Sequence, residues 1–144
     1  MLVMNSPDTE SFSDITLLRM LSSRNHRPNL MIVGKRASLE SVLQQLTAVC
    51  ASPIWVCRLP GTLDLQTDIR GTLVLGDIDQ LTINQQITLS DWLARKGNEV
   101  QVVSVTRAPM TELVADGRFL EGLYFRLNTV VIRATNLADY CASW

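Results

Sequence analysis

The residues best placed to do chemistry in this sequence follow two apolar runs. Leu30-Met31-Ile32-Val33 leads into Gly34-Lys35-Arg36-Ala37-Ser38-Leu39-Glu40-Ser41, and Gly71-Thr72-Leu73-Val74-Leu75 leads into Gly76-Asp77-Ile78-Asp79. The first loop bears comparison with the phosphate-binding spacing G-x-x-x-x-G-K-[ST]. There, glycines let backbone N–H groups close around a phosphate, and the lysine reaches its terminal oxygens. Gly34 opens that spacing, but Leu39 stands at the second glycine and Glu40 at the lysine. A carboxylate facing the β- and γ-phosphates repels them by about 1 to 4 kcal/mol at ~4 Å, for dielectrics from water to protein surface.

Lys35 and Arg36 are cationic but early in the loop, suited either to an anion or to solvent. In the second loop Asp77 and Asp79 are the acids that could hold Mg²⁺ and orient water. The same two acids also suit a plain turn at a strand end. The reading is therefore a vestigial nucleotide site made of Gly34, Lys35, Arg36 and Asp77, with no catalytic residue, no metal ligand set and no cofactor; bound ATP and Mg²⁺ are not expected. The one histidine, His26, lies in the polar stretch Ser22 to Arg27 and has no triad partner nearby. Cys50, Cys57 and Cys141 form no C-x-x-C pair, which reads as reduced thiols acting as small hydrophobes.

The elements that must position these loops alternate between strand and helix. The apolar runs 30–33, 54–57, 71–75, 100–105 and 129–132 read as five strands. Residues 14–22 read as a short helix after Ser13. Ser38 caps a second helix, with Leu39, Val42, Leu43, Leu46, Val49 and Cys50 on one face. Thr82 with Gln85 three residues on forms a capping-box signature for a helix running to Lys96 and stopping at Gly97. Pro109 opens another helix, Asp116-Gly117 interrupts it, and Leu120, Leu123, Tyr124 and Leu127 pattern the next. Thr62 to Arg70 reads as a short polar connection.

Strands apolar throughout and separated by helices imply a parallel sheet covered on both faces. The fold class is α/β, a three-layer sandwich with a five-stranded parallel sheet. Residues 1–13 read as a flexible N-terminus, 14–135 as the α/β core and 136–144 as a tail. Hydrophobic residues make up 47%, charged residues 19%, and the net charge is −1. That balance disfavours binding driven by phosphate contacts, and no basic recognition helix points to DNA. No apolar run approaches the ~18 residues of a membrane span, and no signal peptide is legible, so a cytoplasmic setting follows.

Residues 71–132 carry a more specific signal. Gly71-Thr72-Leu73-Val74-Leu75-Gly76-Asp77-Ile78-Asp79-Gln80-Leu81 resembles G-T-L-F-L-D-E-I-G-E-L, and Val100-Gln101-Val102-Val103-Ser104-Val105-Thr106-Arg107 resembles V-R-V-I-A-A-T-N. Residues 112–128, Glu112 to Asn128, are similar to L-V-A-x-G-x-F-R-E-D-L-Y-Y-R-L-N. These are the Walker B, sensor I and following segments of the AAA+ domain of sigma-54-dependent transcription activators, and the chain resembles a shortened member of that family. Asn29 to Gly34 resembles the strand entering Walker A, and residues 14–27 the helix before it.

The resemblance implies a P-loop NTPase core, and the departures from it imply lost activity. The metal-binding Asp of Walker B is Gly76 here, and its water-orienting Glu is Asp77. A one-residue slip would restore Asp77 as the metal acid but leave Ile78 at the glutamate. The sensor I Asn is Arg107. Of two family arginines that act near a neighbour's nucleotide, the first is Leu120 and the second is kept as Arg126. Thr62 to Arg70 is too short for the G-A-F-T-G-A insertion that grips sigma-54, and neither a helical lid nor a helix-turn-helix follows the fifth strand.

The expectation is a regulatory protein-interaction module without ATPase activity, with Arg107 and Arg126 as interface candidates. Its partner would be a full-length sigma-54-dependent activator or a second copy of itself. The competing reading is a domain that binds ATP or ADP weakly without hydrolysis. A receiver-like domain would want an acidic pair after the first strand and a lysine after the last; Gly34-Lys35-Arg36 and Arg133-Ala134-Thr135 supply neither.

Overall fold

Runs of Leu, Val and Ile form strands here because both faces of the sheet are covered, so no position along them needs to be polar. A computed structural model describes residues 2–4, 28–34, 39–46, 50–97 and 99–133. In chain order the elements are β1 (Leu2–Met4), β2 (Leu30–Val33), α1 (Leu39–Leu46), β3 (Ile54–Arg58), β4 (Gly71–Gly76), a 3-10 turn (Ile78–Gln80), α2 (Ile83–Lys96), β5 (Val100–Thr106), α3 (Met110–Ala115), α4 (Glu121–Leu127) and β6 (Val130–Arg133). All strand pairs are parallel, in the order β1-β6-β2-β5-β4-β3.

The five expected strands are present, and the sheet has a sixth. Leu2–Met4 pairs in parallel with β6, Leu2 opposite Val130 and Met4 opposite Ile132. From sequence alone this triplet reads as part of a flexible N-terminus. Three residues carry no usable periodicity, and only pairing with β6 makes them a strand. The expected helix at 14–22, the Ser38 cap, His26, Val49, Cys141 and the tail lie outside the described residues.

Side chains alternate between two cores, as a period of two requires. On one face Met31, Leu73, Leu75, Val102 and Val131 pack with Leu89, Trp92 and Leu93 of α2 and Leu123 and Leu127 of α4. On the other, Leu30, Ile32, Val74, Val103, Val105 and Ile132 pack with Leu39 and Val42 of α1. The three-layer architecture follows directly.

Helix α2 starts as its capping box dictates: the Gln85 N–H donates to Thr82 Oγ1 at 3.1 Å and the Thr82 N–H donates to Gln85 Oε1 at 3.0 Å. It ends at Gly97, whose φ of 58° suits a residue without a Cβ. One face of this helix also fastens the 61–70 connection. Gln85 Nε2 donates to Gly61 O at 2.7 Å, Trp92 Nε1 to Gln66 O at 3.1 Å, and Lys96 Nζ to Thr67 O. Ile69 is buried and Leu63 and Leu65 pack against the core, so this stretch is a pinned strap, where composition had suggested only a polar link.

Gly71 opens β4 at φ 93°, and a Cβ there would stand 2.4 Å from Pro53 O. Gly71→Ala should therefore cost about 2 kcal/mol or more, from left-handed strain and backbone overlap together. Gly97 has a positive φ too but open space around it, so Gly97→Ala should cost only about 1 kcal/mol. Urea unfolding of both variants checks the contrast; equal losses would mean that the approach of Pro53 to Gly71 is not what constrains this position.

Candidate functional site

In an open parallel sheet the carboxyl ends of the strands converge on one edge, and the loops leaving them form the natural binding crevice. Three such ends and the first turn of α1 meet here. The described residues enclose a cavity of ≈ 170 Å³ lined by Leu39, Glu40, Arg58, Gly76, Asp77 and Arg107. Leu39 and Glu40 come from the first turn of α1, Arg58 from the end of β3, Gly76 and Asp77 from the end of β4, and Arg107 from just past β5. The volume falls below the ~300–1,000 Å³ usual for small-molecule sites.

Two contacts shape the cavity. The first is apolar. Leu39 is buried, and a Cβ added at Gly76 would stand 2.9 Å from Leu39 Cδ2. The leucine at the second-glycine position thus uses the room that a side chain at 76 would need. The second contact is ionic. Arg58 Nη1 donates to Glu40 Oε1 at 2.7 Å, the two side chains remaining 61% and 68% exposed.

That hydrogen bond from Arg58 is the main reason the Glu40 carboxyl sits below its ordinary value. The backbone N–H of Glu40 adds to the effect, desolvation opposes it, and the nearby charges of Arg58 and Arg107 contribute least. Glu40 also lies in the first turn of α1, where the helix dipole favours a carboxylate.

The two acids after β4 part company. Asp77 adopts left-handed backbone angles, φ 56° and ψ 58°, and lines the cavity. Asp79 turns away: its Oδ1 accepts from Thr106 Oγ1 at 3.1 Å and its Oδ2 from Gln80 Nε2 at 2.8 Å. Thr106 Oγ1 accepts in turn from the Ala108 N–H at 3.0 Å. This chain fixes the backbone on both sides of Arg107 and so holds that residue at the cavity rim.

Of the residues singled out from sequence, Asp77 and Arg107 are brought together at the cavity. Gly34 lies at the end of β2 with φ 135°, its N–H donating to Thr106 O at 3.2 Å. Lys35 and Arg36 lie outside the described residues. Arg126 is exposed near the end of α4, and its carbonyl accepts from Asn29 Nδ2 at 2.9 Å. Asn29 precedes β2, so the backbone of Arg126 belongs to the amino end of the sheet, opposite Arg107. The structure does not bring these two arginines together. Arg58 was missed; its signal is a lone charge closing the otherwise apolar run Ile54-Trp55-Val56-Cys57.

The model of the sigma-54 interaction domain matches residues 62–137. This chain belongs to the sigma-54 interaction domain family. Its fold is shared with NtrX from Brucella abortus. The ATP complex of that protein superposes with a TM-score of 0.65 at 18% identity, covering 92% of this chain and 36% of NtrX. The ADP complex gives a TM-score of 0.66 at 16% identity over 90% of this chain and 36% of NtrX. This chain therefore spans about a third of the NtrX it matches. No curated protein sequence matches it. The sigma-54 interaction domain thus appears here on an AAA+ α/β core, and no helix among the described residues is long and apolar enough to cross a membrane.

Two predictions follow from the cavity contacts. Gly76→Ala should lose about 1–2 kcal/mol by forcing Leu39 aside. In a Leu39→Ala background the added loss should fall to about 0.5 kcal/mol or less, because neighbours in contact couple. A double-mutant cycle by urea unfolding measures this, and strict additivity would mean the two positions do not share space.

For Glu40 the sign is fixed by its depressed titration. The carboxylate adds stability above the ordinary glutamate value of about 4.5, and that stability is lost as pH falls through the lower folded-state value. Arg58→Ala should raise the Glu40 titration seen by carboxyl NMR. The stability gap between wild type and Arg58→Ala should shrink between pH 7 and pH 3. An unmoved Glu40 titration would show that Arg58 is not its partner in solution.

Proposed function

We propose that this sigma-54 interaction domain is a non-catalytic, regulatory protein-interaction module in cytoplasmic transcription control, built on an ATPase core whose phosphate and metal positions have been filled. The observation that supports this reading is the pair of contacts at the carboxyl edge: Leu39 against Gly76, and Glu40 against Arg58 at 2.7 Å. A nucleotide's terminal phosphates need backbone N–H groups and a cation in that space, with an acid on the metal. Here an apolar side chain and a carboxylate line it, Asp79 is committed to Thr106, and Asp77 lines the cavity with no second acid at position 76. The partner on this reading is a protein, a full-length sigma-54-dependent activator or a second copy of this chain. Arg107 at one end of the sheet and Arg126 at the other would then serve separate contacts.

The second reading, weak ATP or ADP binding without hydrolysis, draws on the two guanidinium groups at the cavity and on the ATP and ADP held by NtrX. Turnover and calorimetry separate the readings. The regulatory module should show no ATP hydrolysis above background, no change on Asp77→Ala, and no heat with millimolar ATP. Heat without turnover would favour the second reading. A clear rate abolished by Asp77→Ala would sink both.

A further inference from the structure

Among the described residues β3 ends the sheet, with β4 on its inner side and no strand on its outer side. Pro53 O accepts from the Thr72 N–H at 3.1 Å, and the Leu59 N–H donates to Gly76 O at 3.1 Å. These two bonds fix the phase of the strand. In a parallel ladder alternate residues turn both backbone groups to the same neighbour. Trp55 and Cys57 therefore serve β4, and the N–H and C=O groups of Ile54, Val56 and Arg58 point outward.

That outward set is symmetric about Val56. An identical strand laid antiparallel sets Val56 opposite Val56 and Ile54 opposite Arg58, each pair able to exchange two backbone hydrogen bonds. Pro60, next in the outward phase, has no N–H, so such a ladder stops at Arg58. The side chains agree with this register. Val56, 41% exposed, meets its own counterpart on one face. On the other, Trp55, 37% exposed, stands opposite Cys57 of the second copy, in the kind of pair that brings side chains closest.

Charge follows the same symmetry. Trp55 Nε1 donates to Arg70 O at 3.1 Å, which sets Arg70 beside Trp55. The Asp64 backbone N–H bonds the Cys57 thiol, which sets Asp64 beside Cys57. Both Asp64 and Arg70 are exposed. Setting Trp55 against Cys57 of a second copy brings Asp64 of each chain to Arg70 of the other.

We propose that the partner of this module is a second copy of the chain, joined by antiparallel pairing of the two β3 edges. The proposal rests on the protein-interaction reading and names its partner and surface. Five residues from each chain bury less than the ~1,200 Å² of a lasting interface, so the dimer should be weak, with a Kd on the order of 100 µM.

Sedimentation velocity on the full chain, over a roughly hundredfold concentration range, should show monomer passing to dimer. Across that range amide exchange followed by NMR should slow at Ile54, Val56 and Arg58. The amides of Trp55 and Cys57, already bonded to β4, should not change. Val56→Pro removes an outward N–H and no bond to β4, and it should be monomeric throughout. Val56→Lys, which sets two like charges opposite each other without touching the backbone, should weaken the dimer at least tenfold. Asp64→Arg and Arg70→Asp should each weaken it by about threefold or more, and the double swap should restore it.

A chain that stays monomeric overturns the proposal, as does a dimer that survives Val56→Lys with the three outward amides still exchanging. Protection of those amides only when a full-length activator is added also overturns it, and leaves the non-catalytic reading with that activator as partner. ATP hydrolysis by wild type removes the non-catalytic reading alone; the dimer and its amides still decide this proposal.

Discussion

Leu39 reaches from the first turn of α1 to the bare α-carbon of Gly76, close enough that a Cβ at 76 would lie 2.9 Å from Leu39 Cδ2. That approach ties α1 to the end of the interior strand β4 and shapes the carboxyl edge. Leu39 belongs to the smaller of the two cores, with Val42, Val74 and Val105, so its side chain is drawn inward by burial. The next residue must then lie on the outer side of the same turn. Glu40 does, and there it meets Arg58 leaving β3. The ionic contact thus depends on the apolar one, and the shape of the cavity depends on both.

The other face is organised by α2. Its capping box fixes where it begins, and Gln85, Trp92 and Lys96 fasten the 61–70 strap along its length. Gln86 is buried on the same helix and joins three segments. Its Nε2 donates to Leu81 O and Arg118 O, both at 3.1 Å, and its Oε1 accepts from the Leu120 N–H at 2.8 Å. A buried amide with its polar atoms paired is worth retaining, because leaving any one unpaired costs its desolvation. Through Gln86 the turn after β4 and the segment entering α4 are held to one helix, so the sheet's carboxyl edge and its helical flank form one continuous unit.

Most of this architecture was legible in the sequence, for reasons particular residues make plain. The strands at 71–75 and 100–105 are apolar because they are buried between two neighbours and two covered faces, and the Thr82–Gln85 pair announces its helix through a local hydrogen-bond pattern. What escaped was non-local. Leu2–Met4 is a strand only because β6 is beside it. The 61–70 strap reads as polar because its fastening uses backbone carbonyls, which composition does not show. At the site, Leu39, Glu40 and Gly76 stand out by spacing as departures from the phosphate-binding pattern. Arg58 does not, because its role exists only once β3 and α1 are adjacent. Nor could spacing tell that Asp77 and Asp79 face different ways; the left-handed turn at Asp77 decides that.

The departures from a phosphate-binding site are better understood as one rearrangement than as separate losses. With Leu39 in place, an acid at position 76 would have to displace a buried side chain and bury its own charge, a double penalty. With Glu40 in place, Arg58 already has its counter-charge, and a lysine at 40 would put three positive charges among the described residues of the rim, against Asp77. Each substitution therefore makes the others easier to accommodate and their reversal harder. Restoring a single residue would leave a site that is overpacked or mischarged. The same residues leave the sheet order, the helix α2 and its capping untouched, because all of them lie at the carboxyl edge and not between the layers. The framework of the sheet and the side chains at its rim can thus vary separately in this fold.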